Sequence, residues 1–262
     1  MKRLPRFLHK PLVWLFSAAR RRIQSGPNAG RLWSVSSSGR GYVSGSFEHE
    51  RLAAMESLTR PGDVFWDVGA HQGYITLAAA KWVGPGGRVV SFEPSSANRA
   101  LLERHVHWNK LNNVQVLPFA ISDTDGNAQF GGTGGSVSFR LGRGDESVAT
   151  RTIRSLIQNE SQPRPTVLKL DVERSEAAAL RGGNEHLSSN MVVWISLHSR
   201  ELYHECRDLL AGHGMTVHES AKLREVIDPE KSWGGDKELL AVGSARELTP
   251  EEKDAVSRFC GQ

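Results

Sequence analysis

The stretch VFWDVGAHQGYITLAAA, residues 64–80, runs from an apolar segment into an acid, across a small glycine-bearing loop, and out into an alanine-rich helix. Strand, loop and helix in that order mark the start of an alternating α/β fold. In open sheets of this kind ligands sit beyond the carboxyl ends of the strands, near the point where strand order switches. The loop from Asp67 to Gly73 is the first such end.

A dinucleotide fingerprint would need GxGxxG, whereas Gly69 and Gly73 stand four apart with His71 and Gln72 between them. Asp67 would also set a negative charge against a pyrophosphate, where a helix N-terminus is expected to attract anions. A carboxylate in this position suits a ligand with a positive group, such as the amino acid part of S-adenosylmethionine. Gly69 would let backbone approach closely, and Gly73 would let the next helix pack near the loop. Glu93 ends the following strand, 20 residues beyond Gly73, where an acid can accept hydrogen bonds from both hydroxyls of a ribose. Singly, Asp67 reads equally as a helix N-cap and Glu93 as a solvated turn. Together, at consecutive strand ends, they favour a nucleoside ligand.

Working outward, FEHERLAAMESL places Leu52, Met55 and Leu58 at helical spacing, and Arg60-Pro61-Gly62-Asp63 ends that helix. After the opening stretch come RVVSFEP, a helix from about Ser96 to Leu111 with Ala97, Ala100, Leu101, Trp108 and Leu111 largely on one face, and the strand VQVLPFA. Residues 123–154 are rich in Gly, Ser and Thr with short alternations, which predicts a β-hairpin insertion. The alternation resumes with TVLKLDV, a helix from about Ser175, the strand MVVWISLH and a helix from Arg200. Strand candidates follow near Met215–His218 and Leu239–Gly243. Thr249-Pro250-Glu251-Glu252 then opens a last helix, with Thr as N-cap and Pro at the first helical position. Three parts are expected: a basic segment and Ser/Gly-rich linker over 1–45, the α/β domain over 46–245, and a C-terminal helix over 246–262.

The net charge of +4 is unevenly placed. Residues 1–40 carry nine Lys/Arg and no acid, leaving 24 Lys/Arg against 29 Asp/Glu, or −5, in the remainder. The body therefore has no basic stripe to track phosphates, and no nucleic-acid partner is expected. The uncharged run Pro11 to Ala19 is too short to span a bilayer. Two readings of residues 1–24 stand: a helix packed on the domain with a solvated basic face, or a peripheral membrane contact that buries Leu12, Trp14, Leu15 and Phe16 among anionic lipids. Cys206 and Cys260 form no CxxC or Cys/His cluster, so a reducing, cytoplasmic setting is expected, with membrane-surface association as its variant.

From Asp63 to His198 the chain resembles the FkbM family of class I S-adenosylmethionine-dependent methyltransferases. The resemblance rests on GDVFWDVGAHQGYIT, VVSFEP, a helix ending in Asn109, VLPFAISDTDG, LKLDVERSE and ISLH, in that order. It implies a Rossmann-like, seven-stranded, mostly parallel sheet with its last strand reversed and helices on both faces. It also implies methyl transfer to oxygen, on a sugar, glycolipid or polyketide-type small molecule. Carried over, Asp67, Gly69, Ala70 and Gly73 would hold the methionine part, Glu93 and Pro94 the ribose, and Ala120, Ile121 and Ser122 the surroundings of the adenine. LKLDVERSE would lie at the donor methyl. Lys169, Asp171 and Glu173 would share one face if the strand continues that far, although a lysine–carboxylate ion pair with Glu173 as a helix cap accounts for them equally. His198 matches the family's histidine and would accept the proton of a substrate hydroxyl. Should Asp171 and Glu173 bind Mg²⁺, the metal would orient the acceptor. The chain departs from the family at Arg154, at Arg174-Ser175 where Gly-Ala is usual, and at Ser196 where an acid is usual. These departures motivate a second reading, a catalytically silent donor-binding protein anchored by its basic N-terminus to a membrane or partner complex; a third is a methyltransferase acting on protein side chains.

Overall fold

The computed structural model describes residues 19–37, 39–132, 140–227, 232–233 and 237–261. The chain enters through a short antiparallel hairpin, β1 (Arg20–Arg22) and β2 (Leu32–Ser34). The expected helix through the arginines is corrected here. Gly26 and Gly30 take left-handed conformations (φ 74° and 82°) that close a turn, and Ile23 and Trp33 beside it are each 1% exposed. Residues 1–18, with the apolar run read as a membrane contact, lie outside the described residues. Among the described residues no helix is long and apolar enough to cross a membrane.

The Ser/Gly-rich linker expected at the end of residues 1–45 is also corrected. This stretch contains a helical turn, α1 (Arg40–Ser44), and it packs on the domain. Trp33 stacks on His105 with ring centroids 3.9 Å apart, and Tyr42 stacks on Trp33 at 5.6 Å. His105, buried and held neutral with its pKa lowered to about 4 by burial, bridges two segments. Its Nδ1 hydrogen-bonds the Gln72 carbonyl at 2.8 Å, and its Nε2 accepts from the Ser34 amide at 2.9 Å. Asn109 adds a strand-like pair with Leu32, accepting from its N–H at 2.8 Å and donating to its carbonyl at 2.9 Å. The segment from about residue 19 is thus part of the α/β body, since a Ser/Gly composition sets polarity but the buried Trp33 and the half-buried Tyr42 stacked on it set packing.

Helix α2 (His49–Leu58) buries Leu52, Met55 and Leu58, as their spacing predicts, and Arg51 as well. The βα units follow: β3 (Val64–Val68), α3 (Tyr74–Trp82), β4 (Arg88–Phe92), α4 (Ser96–Trp108) and β5 (Val114–Leu117). The buried face of α4 is Asn98, Leu102 and His105, and not the expected face, on which Ala97 and Ala100 are exposed. Two polar residues occupy the inner stripe because each has a partner there, which a hydrophobicity count cannot register.

VQVLPFA breaks at Pro118. The residues beyond it, β6 (Phe119–Ile121), leave the central sheet for a second one, as expected of a residue without an N–H to donate. The insertion supplies β7 (Gly126–Gly131), β8 (Arg140–Leu141) and β9 (Glu146–Arg151), in the order β6-β9-β7-β8. It ends before α5 (Ile153–Gln158), so Arg154 belongs to a helix. Then come β10 (Val167–Leu170), α6 (Glu176–Gly183), β11 (Val192–Leu197), α7 (Arg200–Gly212), β12 (Met215–Glu219), α8 (Ala221–Arg224), β13 (Lys237–Gly243) and α9 (Pro250–Phe259). Helix α9 opens on a capping box between Thr249 and Glu252.

The seven-stranded sheet has the order β12-β13-β11-β10-β3-β4-β5, and β13 alone runs antiparallel to its neighbours. From β3 the chain steps to β4 on one side and later returns to β10 on the other, so the switch point lies between β3 and β10.

If the segment before α2 is integral, Trp33→Ala removes a fully buried ring and its stacking partner, and stability should fall by about 3–5 kcal/mol. Urea denaturation followed by circular dichroism checks this, and an unchanged midpoint would mean a detached segment.

Candidate functional site

At the switch point Asp67 and Lys169 are register partners on adjacent strands. Both side chains are buried, and Lys169 Nζ lies 3.1 Å from Asp67 Oδ1. Lys169 also donates to the carbonyls of Gly69 (2.7 Å) and Val68 (3.2 Å), and Thr76 donates to Asp67 Oδ2 at 2.6 Å. Asp67 is therefore engaged beneath the floor of the site and does not line the cavity, while Lys169 does. The expectation that Asp67 holds the positive end of a ligand is corrected on this geometry: a fully buried carboxylate needs its own cation. The same pair takes Lys169 out of any convergence with Glu173, because β10 ends at Leu170.

The loop after β3 is shaped by two glycines. At Gly69 (φ 75°) a Cβ would lie 1.9 Å from the Asp171 carbonyl oxygen, so its role is close approach to the chain beyond β10. At Gly73 (φ 88°) a Cβ would lie 2.3 Å from Leu102 Cδ1, which fits its expected packing role. The amides of Gly69 and Ala70 both donate to the Phe92 carbonyl at 3.0 Å. The loop thus presents shape to the cavity through Gly69, Ala70 and His71. Burial, assisted by the Lys169 charge, lowers His71 to about 4, which leaves it a neutral wall.

Glu93 stands in the cavity as expected. Its carboxylate accepts from the amides of His71 (2.7 Å) and Ser95 (2.9 Å). Burial raises its pKa to about 7 against those hydrogen bonds. Pro94, Ala120 and Ile121 continue the same wall, joined by Asn98 and Phe119 and, from the insertion, Phe130 and Leu141. Ser122 is set back from the cavity; its amide is used by the Arg151 carbonyl at 3.0 Å.

Opposite this wall the cavity is lined by Tyr42, Phe47, Glu48, Asp171 and Glu173. Asp171 Oδ2 lies 3.7 Å from Arg51, whose buried guanidinium also meets Glu48 (3.0 Å) and Glu238 (2.9 Å). Burial works to raise the Asp171 carboxyl, but Lys169, Arg51 and His198 outweigh it and hold it below the usual range. His198 sits behind the two acids and outside the cavity lining, its Nε2 3.8 Å from Asp171 Oδ1 and 3.6 Å from Glu173 Oε2. Its Nδ1 bonds Glu176 at 2.8 Å. Burial alone would lower His198, yet the bond to Glu176 and the charges of Glu176, Asp171 and Glu173 raise it to about 9. These acids favour its charged form, and its place behind Asp171 and Glu173, outside the cavity lining, departs from the expectation of a base touching the substrate. Asp171, Glu173 and His198 have ligand atoms within 4.8 Å of one another. Mg²⁺ prefers an all-oxygen shell, and here one of the three donors is an imidazole nitrogen, so this set does not fit Mg²⁺.

Arg51, Tyr42, Phe47 and Glu176 escaped the sequence reading. Arg51 adjoins Leu52 on an apolar stripe, and a charge at the edge of such a stripe is the one signal it offered. Of the family departures, Arg154 is half-exposed and pairs with Glu185 at 2.7 Å, Ser196 is fully buried, and Arg174 adopts φ 80°, a left-handed conformation that the usual glycine enters freely.

Lys169→Met leaves Asp67 buried without its cation and should cost about 3–5 kcal/mol. Pairing it with Asp67→Asn should recover much of that loss. A double-mutant cycle by urea denaturation measures it, and additive single effects would refute the coupling.

The Methyltransferase FkbM domain model matches residues 67–218. Among solved structures, the chain is similar to Methyltransferase FkbM from Methylobacillus flagellatus KT at 19% identity and TM-score 0.50, over 69% of this chain and 43% of that one. It is also similar to precorrin-6y C5,15-methyltransferase from Geobacter metallireducens GS-15 at 11% identity and TM-score 0.50, over 79% and 94%. Likenesses at these identities show the fold, and this chain spans less than half the length of the Methylobacillus protein. No curated protein matches. The family model covers more than half of the chain, across the loop of Asp67, the wall of Glu93 and the acids that follow β10, and on that match the chain belongs to the FkbM methyltransferase family.

Proposed function

We propose that this protein transfers the methyl group of S-adenosylmethionine to a hydroxyl oxygen of a sugar, glycolipid or polyketide-type small molecule. The observation that carries the reading is one cavity at the switch point with Glu93 on one wall and Asp171 and Glu173 on the other. Glu93 would take the ribose hydroxyls, with Pro94, Phe119, Ala120 and Ile121 around the adenine. Gly69, Ala70 and His71 would shape the methionine end beside Lys169. The aromatic faces of Tyr42 and Phe47 suit the apolar face of an acceptor ring, and Asp171 and Glu173 suit its hydroxyls.

In this reading the C–O bond forms as the C–S bond breaks, and the sulfonium leaves as a neutral thioether with the electron pair. The oxygen becomes strongly acidic as it is alkylated, so a well-ionised carboxylate can take its proton. Alignment supplies most of the acceleration, since proximity and orientation are worth about 7–11 kcal/mol. His198, as a cation, keeps the two like charges of Asp171 and Glu173 together.

Two measurements test this. Calorimetry should find binding of S-adenosylmethionine and S-adenosylhomocysteine and not of NAD, weakened at least tenfold by Glu93→Gln. Because the ribose hydroxyls would bind ionised Glu93, affinity should be level above pH about 7 and fall up to about tenfold per unit below it. For the empty protein the sign is opposite: the raised carboxyl favours the folded state at low pH, and this is lost as pH rises through about 7. Labelled methyl from the donor should then appear in the lipid or glycan fraction of a cell extract. Transfer should decline as pH rises through about 9, where His198 loses its charge. A rate rising through that pH would make His198 the base itself, and label confined to protein would replace the acceptor class.

A further inference from the structure

We propose that Glu176 is a positioning residue of the transfer reaction: one buried carboxylate oxygen fixes both the ring of His198 and the turn that carries Glu173, and so sets the two acids that face the acceptor. The inference rests on the methyl-transfer reading above.

Glu176 is fully buried at the first turn of α6. Its Oε1 meets three donors: His198 Nδ1 at 2.8 Å, the Arg174 amide at 3.2 Å and the Val172 amide at 3.4 Å. The amide bonds brace an uncommon turn, since Glu173 (φ 50°) and Arg174 (φ 80°) are successive left-handed residues and neither is glycine. That conformation turns Glu173 back toward His198, where alternation along a strand would not have brought it. The imidazole bond settles which nitrogen faces the acids. With Nδ1–H given to Glu176, Nε2 points at Asp171 and Glu173. A histidine oriented by a buried carboxylate behind it is a recurrent way of fixing tautomer and direction.

The charges around this ring come from several elements. Glu176 faces it from α6, Asp171 from the end of β10 and Glu173 from the turn after it. On the far side of Asp171 stand Arg51 from α2, with Glu48 and Glu238 upon it, and Lys169 from β10. Glu176 touches both the ring and the backbone of the turn. A plain helix-capping role would explain the two amide bonds and leave the imidazole bond without a consequence.

The test uses the full chain with ¹⁵N-labelled histidine, wild type and Glu176→Gln, a substitution that keeps the shape and removes the charge. The wild-type His198 ring should titrate near 9, and above that pH its neutral form should carry the proton on Nδ1. In Glu176→Gln the titration should move down by at least one pH unit, and the alkaline fall in methyl transfer should move with it. Donor affinity should stay within about twofold, because the Glu93 wall is untouched. A neutral wild-type ring protonated on Nε2 overturns the proposal without any variant being needed. So does an unmoved titration in Glu176→Gln, or a moved titration with an unmoved rate profile. A wild type that binds donor yet methylates nothing overturns the methyl-transfer reading instead, while the ring measurements still decide whether Glu176 sets His198.

Discussion

The ion pair between Asp67 and Lys169 sits where the two halves of the sheet meet, and the site is arranged around it. Two charges with almost no exposure persist there because each is satisfied more than once, Asp67 by Thr76 and Lys169 by two loop carbonyls. Those carbonyls belong to the residues that begin the glycine loop. The pair thus ties the end of β10 to the loop after β3, and the absence of a side chain at Gly69 permits the Asp171 carbonyl to come against it. The cavity walls diverge from this point.

The two walls differ in their electrostatics for two reasons, depth of burial and the supply of charged partners. Glu93 is surrounded by amides and little positive charge, so burial dominates and its pKa climbs to about 7. Asp171 is less enclosed than Glu93 and stands among Lys169, Arg51 and His198, so its carboxyl is held below the usual range. His198 in turn is held charged by three acids. One wall thus carries a carboxyl raised by burial, and the other a cluster of mutually compensating charges.

The N-terminal segment completes the cavity. Trp33, lodged on His105, and Asn109, paired with Leu32, hold the chain from β1 to α1 against the domain, and this brings Tyr42 and Phe47 to the rim. His105 carries the connection onward to Gln72 in the glycine loop. One imidazole therefore couples the segment that brings Tyr42 and Phe47 to the cavity to the glycine loop on its floor.

Alternation of strand and helix, the failure of a dinucleotide fingerprint at Gly69 and Gly73, and acids at consecutive strand ends were all legible in the sequence, because these depend on local periodicity and on which residues tolerate a tight turn. So were the reversed last strand, through family resemblance, and the capping box at Thr249. Tertiary structure decided which charges are spent on one another. Asp67 looked free until Lys169 was seen beside it, His198 looked like a neutral base until three acids surrounded it, and Arg51, Glu176 and the aromatic rim drew no notice. Pairing of charges across strands and helices depends on distances between residues as far apart in the chain as Arg51 and Glu238, which periodicity along the chain does not encode.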